Sequence, residues 1–180
     1  MMRVATMVVA MLAAPAAAAF PAVGDKAPAV AATDSTGKAQ TLKRLQGKNG
    51  TVLVFFRSAA WCPYCKAQLI DLNAHAAPAL RARGYALVGL SHDSPEVLAK
   101  FAAERNVGWP LLSDPKSDVI DRWQLRDPAY GAESRAYGVP RPALYVVGRD
   151  GTIKARLMEE SFKNRPAVEV LLAAVDALGR

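Results

Sequence analysis

The chain has 180 residues, 52% of them hydrophobic and 22% charged, with 23 Lys and Arg against 16 Asp and Glu for a formal charge of +7. This length suits one domain with a single real core, and the balance excludes a disordered or polyanion-wrapping chain, which would carry fewer apolar residues and more charge. The basic residues are scattered (Lys43, Arg44, Arg81, Arg83, Arg149, Lys154, Arg156), with no dense run and no aromatic-interleaved stripe. That argues for a solvated basic surface and no nucleic-acid partner.

Residues 1–19 read as a leader. Arg3 precedes an apolar run over 4–13, Pro15 breaks it, and Ala17-Ala18-Ala19 before Phe20 has the form of an A-x-A cleavage site. The run is too short and too interrupted to span a bilayer, which needs about 20 apolar residues. The expectation is an exported, periplasm-type product comprising residues 20–180, with no stable membrane insertion of the mature chain.

Residues 20–46, carrying Gly24, Pro28, Asp34 and Gly37, predict an extended lead-in with short strands. Residues 51–56 (Thr-Val-Leu-Val-Phe-Phe) form a near-continuous apolar run, as expected for a central strand covered on both faces. Next come Cys65, Leu69, Leu72, Ala76 and Leu80, whose spacing marks one helical face. Pro63 suits that helix's first turn, Pro78 predicts a kink, and Gly84 a stop. A second buried strand follows at 85–90. A helix capped by Ser94 then carries Val97, Leu98, Phe101 and Ala102 on one side. A short strand is expected at 111–113 and a brief helix at 118–123, while 127–137 is a polar stretch of no assigned structure. Residues 143–147 and 152–156 read as strands joined by Gly148-Arg149-Asp150-Gly151 into a hairpin. Pro166 opens a last helix, expected to turn Val168, Leu171, Leu172, Val175 and Leu178 inward. The alternation predicts an α/β fold: a central mixed β-sheet with helices on both faces.

Both cysteines lie in Cys62-Pro63-Tyr64-Cys65. A bridge closing so small a loop contributes little stability through chain entropy, so the pair points to chemistry. At a helix start, exposed N–H groups and the macrodipole favour thiolate. Cys62, nearest the tip, is the expected nucleophile. Cys65, on the inner face, is the expected second thiol that attacks a mixed disulfide on its neighbour.

The run Phe55-Phe56-Arg57-Ser58-Ala59-Ala60-Trp61-Cys62-Pro63-Tyr64-Cys65 and the stretch Gly138-Val139-Pro140-Arg141-Pro142-Ala143-Leu144-Tyr145-Val146-Val147-Gly148-Arg149-Asp150-Gly151 resemble the thioredoxin superfamily. More narrowly they are similar to its redoxin branch of alkyl hydroperoxide reductase-like and peroxiredoxin-like proteins. Gly24-Asp25-Lys26-Ala27-Pro28 and Gly89-Leu90-Ser91-His92-Asp93-Ser94-Pro95-Glu96 fit the same branch. The resemblance implies a thioredoxin-like fold over 20–180 and a cis proline facing the redox pair. Pro142 is the first candidate and Pro140 the second, and Arg141 is the neighbour that meets substrate. Trp61, Pro63 and Tyr64 complete the implied substrate-binding set.

The chain also departs from the family. Where peroxiredoxins place a proline and a threonine seven and three residues before the reactive cysteine, it has Phe55 and Ala59, and their returning-strand arginine falls on Pro142. The buried acid that thioredoxins carry six residues before the first cysteine is Phe56 here. The expected function is therefore thiol-disulfide exchange through Cys62 and Cys65, with a disulfide- or thiol-containing protein or small molecule as substrate and an external thiol as reductant. A peroxiredoxin-like thiol peroxidase is the alternative.

A copper(I) module using Cys62, Cys65 and His92 is a weaker rival. Zinc would need His75 and His92, far apart in sequence, and haem attachment would need a histidine where Lys66 stands. No G-x-G-x-x-G opens a helix, so no organic cofactor and no metal are implied. His92 and His75 read as solvated, Trp109 and Trp123 as core, and Lys66 as either an exposed lysine or a thiolate-stabilising charge.

Overall fold

The computed structural model describes residues 19–179; the expected leader lies almost wholly outside them. In chain order the elements are β1 (Ala31–Asp34), β2 (Ala39–Thr41), α1 (Leu42–Leu45), β3 (Gly50–Phe55), α2 (Pro63–Asp71), a π-helical turn (Leu72–Ala76) and α3 (Ala77–Ala82). They continue with β4 (Tyr85–Ser91), α4 (Pro95–Arg105), β5 (Leu111–Ser113), α5 (Asp118–Arg122), β6 (Ala143–Gly148), β7 (Ile153–Leu157), α6 (Val168–Asp176) and a 3-10 turn (Ala177–Gly179).

The seven strands form one mixed sheet in the order β2-β1-β5-β4-β3-β6-β7. β3 lies parallel to β4 and antiparallel to β6, and β4 lies parallel to β5. The lead-in supplies β1 and β2, and β1 pairs antiparallel with β5 at the sheet's edge. All six residues of β3 are buried, as a strand covered on both faces must be.

Because side chains alternate along a strand, β3 divides the core. Val52, Val54 and Phe56 face a cluster with Cys65, Leu69 and Leu72 of the α2 side, Leu98 and Phe101 of α4, and Leu171 and Val175 of α6. Leu53 and Phe55 face the other way, onto Val119, Ile120 and Trp123 around α5 and onto Tyr145 of β6. The expected mixed sheet with helices on both faces is therefore observed, and Trp109 and Trp123 lie in the core.

The helix after the cysteines is not continuous. Pro78 has no N–H for the carbonyl four residues back, and the turn just before it relaxes to π geometry, with Ala77 N–H reaching Leu72 O. Gly84, at φ +75°, then turns the chain into β4.

Two expectations are corrected. Leu178 is 38% exposed rather than inward, because α6 gives way to the 3-10 turn at Ala177 and the 3.6-residue phase is lost. Pro142 is not cis, nor is Pro140, since the described residues contain no cis peptide bond. The approach to these prolines is extended and paired: Arg126 bridges Pro140, Asp127 N–H donates to Val139 O at 2.9 Å, and Arg141 N–H donates to Leu125 O at 2.7 Å. That ladder holds the segment extended as it enters β6, where Ala143 pairs with Phe55.

Candidate active site

The path from β3 to the cysteines is set by buried polar groups. Asp93, at the end of β4, accepts from Ser58 Oγ at 2.7 Å, Ala59 N–H at 2.7 Å and Ser91 Oγ at 2.9 Å. Ser58 Oγ in turn accepts from Ala60 N–H at 3.0 Å, and Ser113 Oγ donates to Asp93 O at 2.7 Å. The residues just beyond β3 and Ser91 of β4 thus converge on one carboxylate that shapes the turn into α2, while Ser113 of β5 holds the same residue by its backbone carbonyl.

Cys62 is the N-cap of α2, with extended backbone, and its Sγ accepts from Cys65 N–H at 3.2 Å. Pro63 occupies the first helical turn, where its missing donor costs nothing. Cys62 and Cys65 are joined as a disulfide, with their Cα atoms 5.3 Å apart. The expected asymmetry of exposure is narrow: Cys62 is 2% exposed and Cys65 0%. In the oxidised state, then, both sulfurs are shielded.

The remaining expected residues are distributed as follows. Half-buried Trp61 lies beside the pair, with the Arg57 guanidinium 5.3 Å and that of Arg135 5.4 Å from its ring centroid. His92 meets the Trp61 ring edge-on at 6.4 Å. It is half-buried, not solvated, and burial holds its pKa below the usual value against the opposing pull of Asp93 and Asp114. Pro63 and Tyr64 are exposed, and Tyr64 meets Phe162 edge-on at 6.1 Å. Lys66 Nζ donates to Ala60 O at 3.2 Å, bracing the turn. His75 is exposed on Asp71. Arg141 and Pro142 line a groove of about 570 Å³ with Tyr130, Arg156 and Phe162, and the Arg141 guanidinium lies over Phe20 at 5.3 Å.

Two arginines at the site escaped the sequence reading. Arg57 is 4% exposed, and its charge lies against the faces of Phe162 (4.1 Å), Tyr130 (4.8 Å) and Trp61. Among the described residues its buried Nε has no hydrogen-bond partner. Arg165 comes from the segment before α6, and its Nη2 lies 3.5 Å from Cys65 Sγ. A cation directly after an apolar strand was a readable signal for Arg57. Nothing local marks Arg165, which is 100 residues from the sulfur it touches.

This arrangement can store and release two electrons at sulfur, in a setting of positive charge. Among the described residues no three His, Cys, Asp or Glu side chains converge to hold a metal, and no helix is long and apolar enough to cross a membrane.

Comparisons with known proteins agree. The AhpC/TSA family matches residues 23–156. The Mycobacterium tuberculosis protein named "Putative peroxiredoxin Rv2521" is 37% identical over 134 residues, covering 72% of this chain and 80% of that protein. Peroxiredoxin Bcp of Escherichia coli is 33% identical over 134 residues, covering 73% and 81%. Among solved structures, peroxidoxin BcpB from Mycobacterium tuberculosis superposes with a TM-score of 0.74 at 24% identity, over 88% of this chain and 98% of that one. The peroxiredoxin 6 of Arenicola marina gives 0.75 at 17% identity, over 88% and 73%. The fold is thus the thioredoxin-like fold of peroxiredoxins, and this chain, with its redox disulfide at the head of α2, belongs to the AhpC/TSA family of thiol-based oxidoreductases.

Proposed function

We propose that the protein is a thiol peroxidase that resolves its own oxidised cysteine. The observation that carries this reading is the Cys62–Cys65 disulfide at the start of α2 in a chain whose relatives over 134 residues are named peroxiredoxins. In the reduced enzyme the Cys62 thiolate, favoured by the helix N-terminus, attacks the distal oxygen of a hydroperoxide. The O–O bond breaks, an alcohol or water leaves with one proton, and Cys62 becomes a sulfenic acid. Cys65 then displaces that oxygen as water and closes the disulfide, which an external dithiol reopens by exchange.

The residues that usually polarise the peroxide are replaced by Phe55, Ala59 and Pro142. Arg165, in contact with Cys65 Sγ, and Arg57, over the Trp61 ring beside the pair, are the cations of the site instead. Residues 1–19 support an exported setting, and amino-terminal sequencing of the secreted product beginning at Phe20 would establish it.

A second reading, thiol-disulfide exchange without peroxide, is favoured by the C-x-x-C spacing and by those same replacements. Stopped-flow mixing of the reduced protein with hydrogen peroxide or an organic hydroperoxide separates the two. Stoichiometric peroxide loss with disulfide formation, abolished in Cys62→Ser, is the peroxidase outcome. Inert thiols under peroxide, in a protein that still reduces insulin or glutathione disulfide, give the second reading.

A further inference from the structure

Cys65 is fully buried on the inner face of α2. Burial alone would raise a thiol's pKa and leave it a poor nucleophile. The position that holds a proton-accepting acid in thioredoxins is Phe56, also fully buried. The second thiol therefore has no general base in the usual place, and its activation must come from elsewhere.

Arg165 meets that need. Its Nη2 lies 3.5 Å from Cys65 Sγ. The rest of the guanidinium is fixed by neutral acceptors: Nε donates to Gln68 Oε1 at 2.9 Å, and Nη1 donates to the carbonyls of Phe162 and of Asn164, the latter at 2.7 Å. It forms none of the ion pairs found among the described residues. Burial, then the neighbouring charge of Arg57, lowers its pKa to about 10 in this oxidised state. Among the described residues neither guanidinium has an ion-pair partner while the sulfurs are bonded to each other. Breaking the disulfide creates an anion where Arg165 points.

The other groups around the pair do not supply a base. Lys66 is tied to Ala60 O, Arg135 lies over Trp61, and His92 meets the Trp61 ring edge-on and makes none of the hydrogen bonds to either sulfur found among the described residues. The Asp93 carboxylate is occupied by Ser58, Ala59 and Ser91. From β3 and α6, Val54 and Phe56 on one side and Val168 and Leu171 on the other belong to the same apolar cluster as Cys65.

We propose that Arg165 is a positioning residue that keeps Cys65 as a thiolate in the reduced enzyme, so that disulfide closure needs no general base. The inference rests on Cys65 as the resolving group of the proposed peroxidase. In that step the Cys65 thiolate attacks the sulfur of the Cys62 sulfenic acid. The S–S bond forms as the S–O bond breaks, and the departing hydroxide takes one proton from solvent to leave as water. Cys65 sulfur is oxidised and Cys62 sulfur reduced. Arg165 lies in the carboxyl-terminal segment, beyond residues 23–156, the span matched by the family.

The test is the ionisation of Cys65 alone. In reduced Cys62→Ser protein, thiolate absorbance at 240 nm should titrate below the ordinary cysteine value of about 8.5. Adding Arg165→Gln should raise the midpoint by about one pKa unit, a tenfold fall in thiolate fraction near neutrality, and Arg165→Lys should restore most of it. In protein with both cysteines, Arg165→Gln should slow disulfide closure after a pulse of peroxide by about tenfold near pH 7, with the gap closing by about pH 9.

An Arg165 that merely props the loop would leave the midpoint and the pH profile unmoved, which overturns the proposal. Should Arg165→Gln fail to fold, a Cys65 midpoint at or above the ordinary value in Cys62→Ser overturns it as well. Failure of the peroxidase reading shows separately, as absence of any reaction with peroxide while the Cys65 titration can still be read.

Discussion

Two stretches of chain meet over the disulfide, and they are held by different physics. Residues 58–60 are locked by hydrogen bonds centred on Ser58, at 0% exposure, and the buried Asp93 carboxylate, at 8%, and Ser113 of β5 holds the Asp93 backbone carbonyl. Residues 158–167 have no regular structure, and most of them are exposed. They are held by Phe162 against Arg57 and Tyr64, and by Arg165 against Gln68, Cys65 and local carbonyls. Buried charge-assisted hydrogen bonds are directional and costly to break, whereas ring contacts at a half-exposed position are weaker and tolerate displacement. The lesson is a division of labour: the first stretch fixes the turn that leads to Cys62, and the second, without regular structure, brings a guanidinium to Cys65.

That contrast can be broken in order of expected effect. Cys62→Ser should abolish peroxide consumption altogether. Cys65→Ser should allow a single oxidation and then stop at the sulfenic acid, which dimedone labelling and mass spectrometry would detect. Next is the rigid stretch. Asp93→Ala removes three hydrogen bonds to a buried carboxylate and strands the Ala59 N–H, so unfolding in denaturant should show a loss of about 3 kcal/mol. A loss below about 1 kcal/mol would mean that the network does not anchor the turn.

The second stretch should respond less in stability and more in access. Phe162→Ala should cost about 1 kcal/mol or less, yet reduction of the disulfide by dithiothreitol should quicken, since the ring beside Tyr64 and Arg57 is gone. Equal reduction rates would show that the segment does not cover the pair.

The smallest effect is with pH. Burial holds the folded His92 below its unfolded value near 6.5, so the unfolded state binds more protons as pH falls. Stability from this group is full above about 6.5 and declines as pH drops toward the folded value. Chemical denaturation between pH 7.5 and 5 should show the decline, and His92→Gln should flatten it.

Much of the site was readable from local pattern. The apolar run before the cysteines, the period of Leu69, Leu72, Ala76 and Leu80, and Pro63 behind Cys62 together placed the pair at the start of a helix. Those features depend on backbone phase and on donors within one turn, which neighbouring residues dictate. The family resemblance likewise pointed to this fold, although the peroxidase relatives support the second of the two expected activities more than the first. The pairing of residues 139–141 with residues 125–127 was not readable, because it joins segments with no local pattern to mark them. Nor was the burial of His92 beside Trp61, which comes from the packing of two separate loops.

The amino-acid sequence by itself therefore determined that two thiols would sit three residues apart at the head of a helix behind a buried strand, since helix capping and strand burial are short-range consequences of residue type. Only the tertiary structure decided which charges surround them. Arg57 acquires its ring of aromatic faces from Trp61, Tyr130 and Phe162, and Arg165 reaches Cys65 across 100 residues. Electrostatic surroundings depend on distance in space and on exclusion of water, and neither quantity is defined until the chain has folded back on itself.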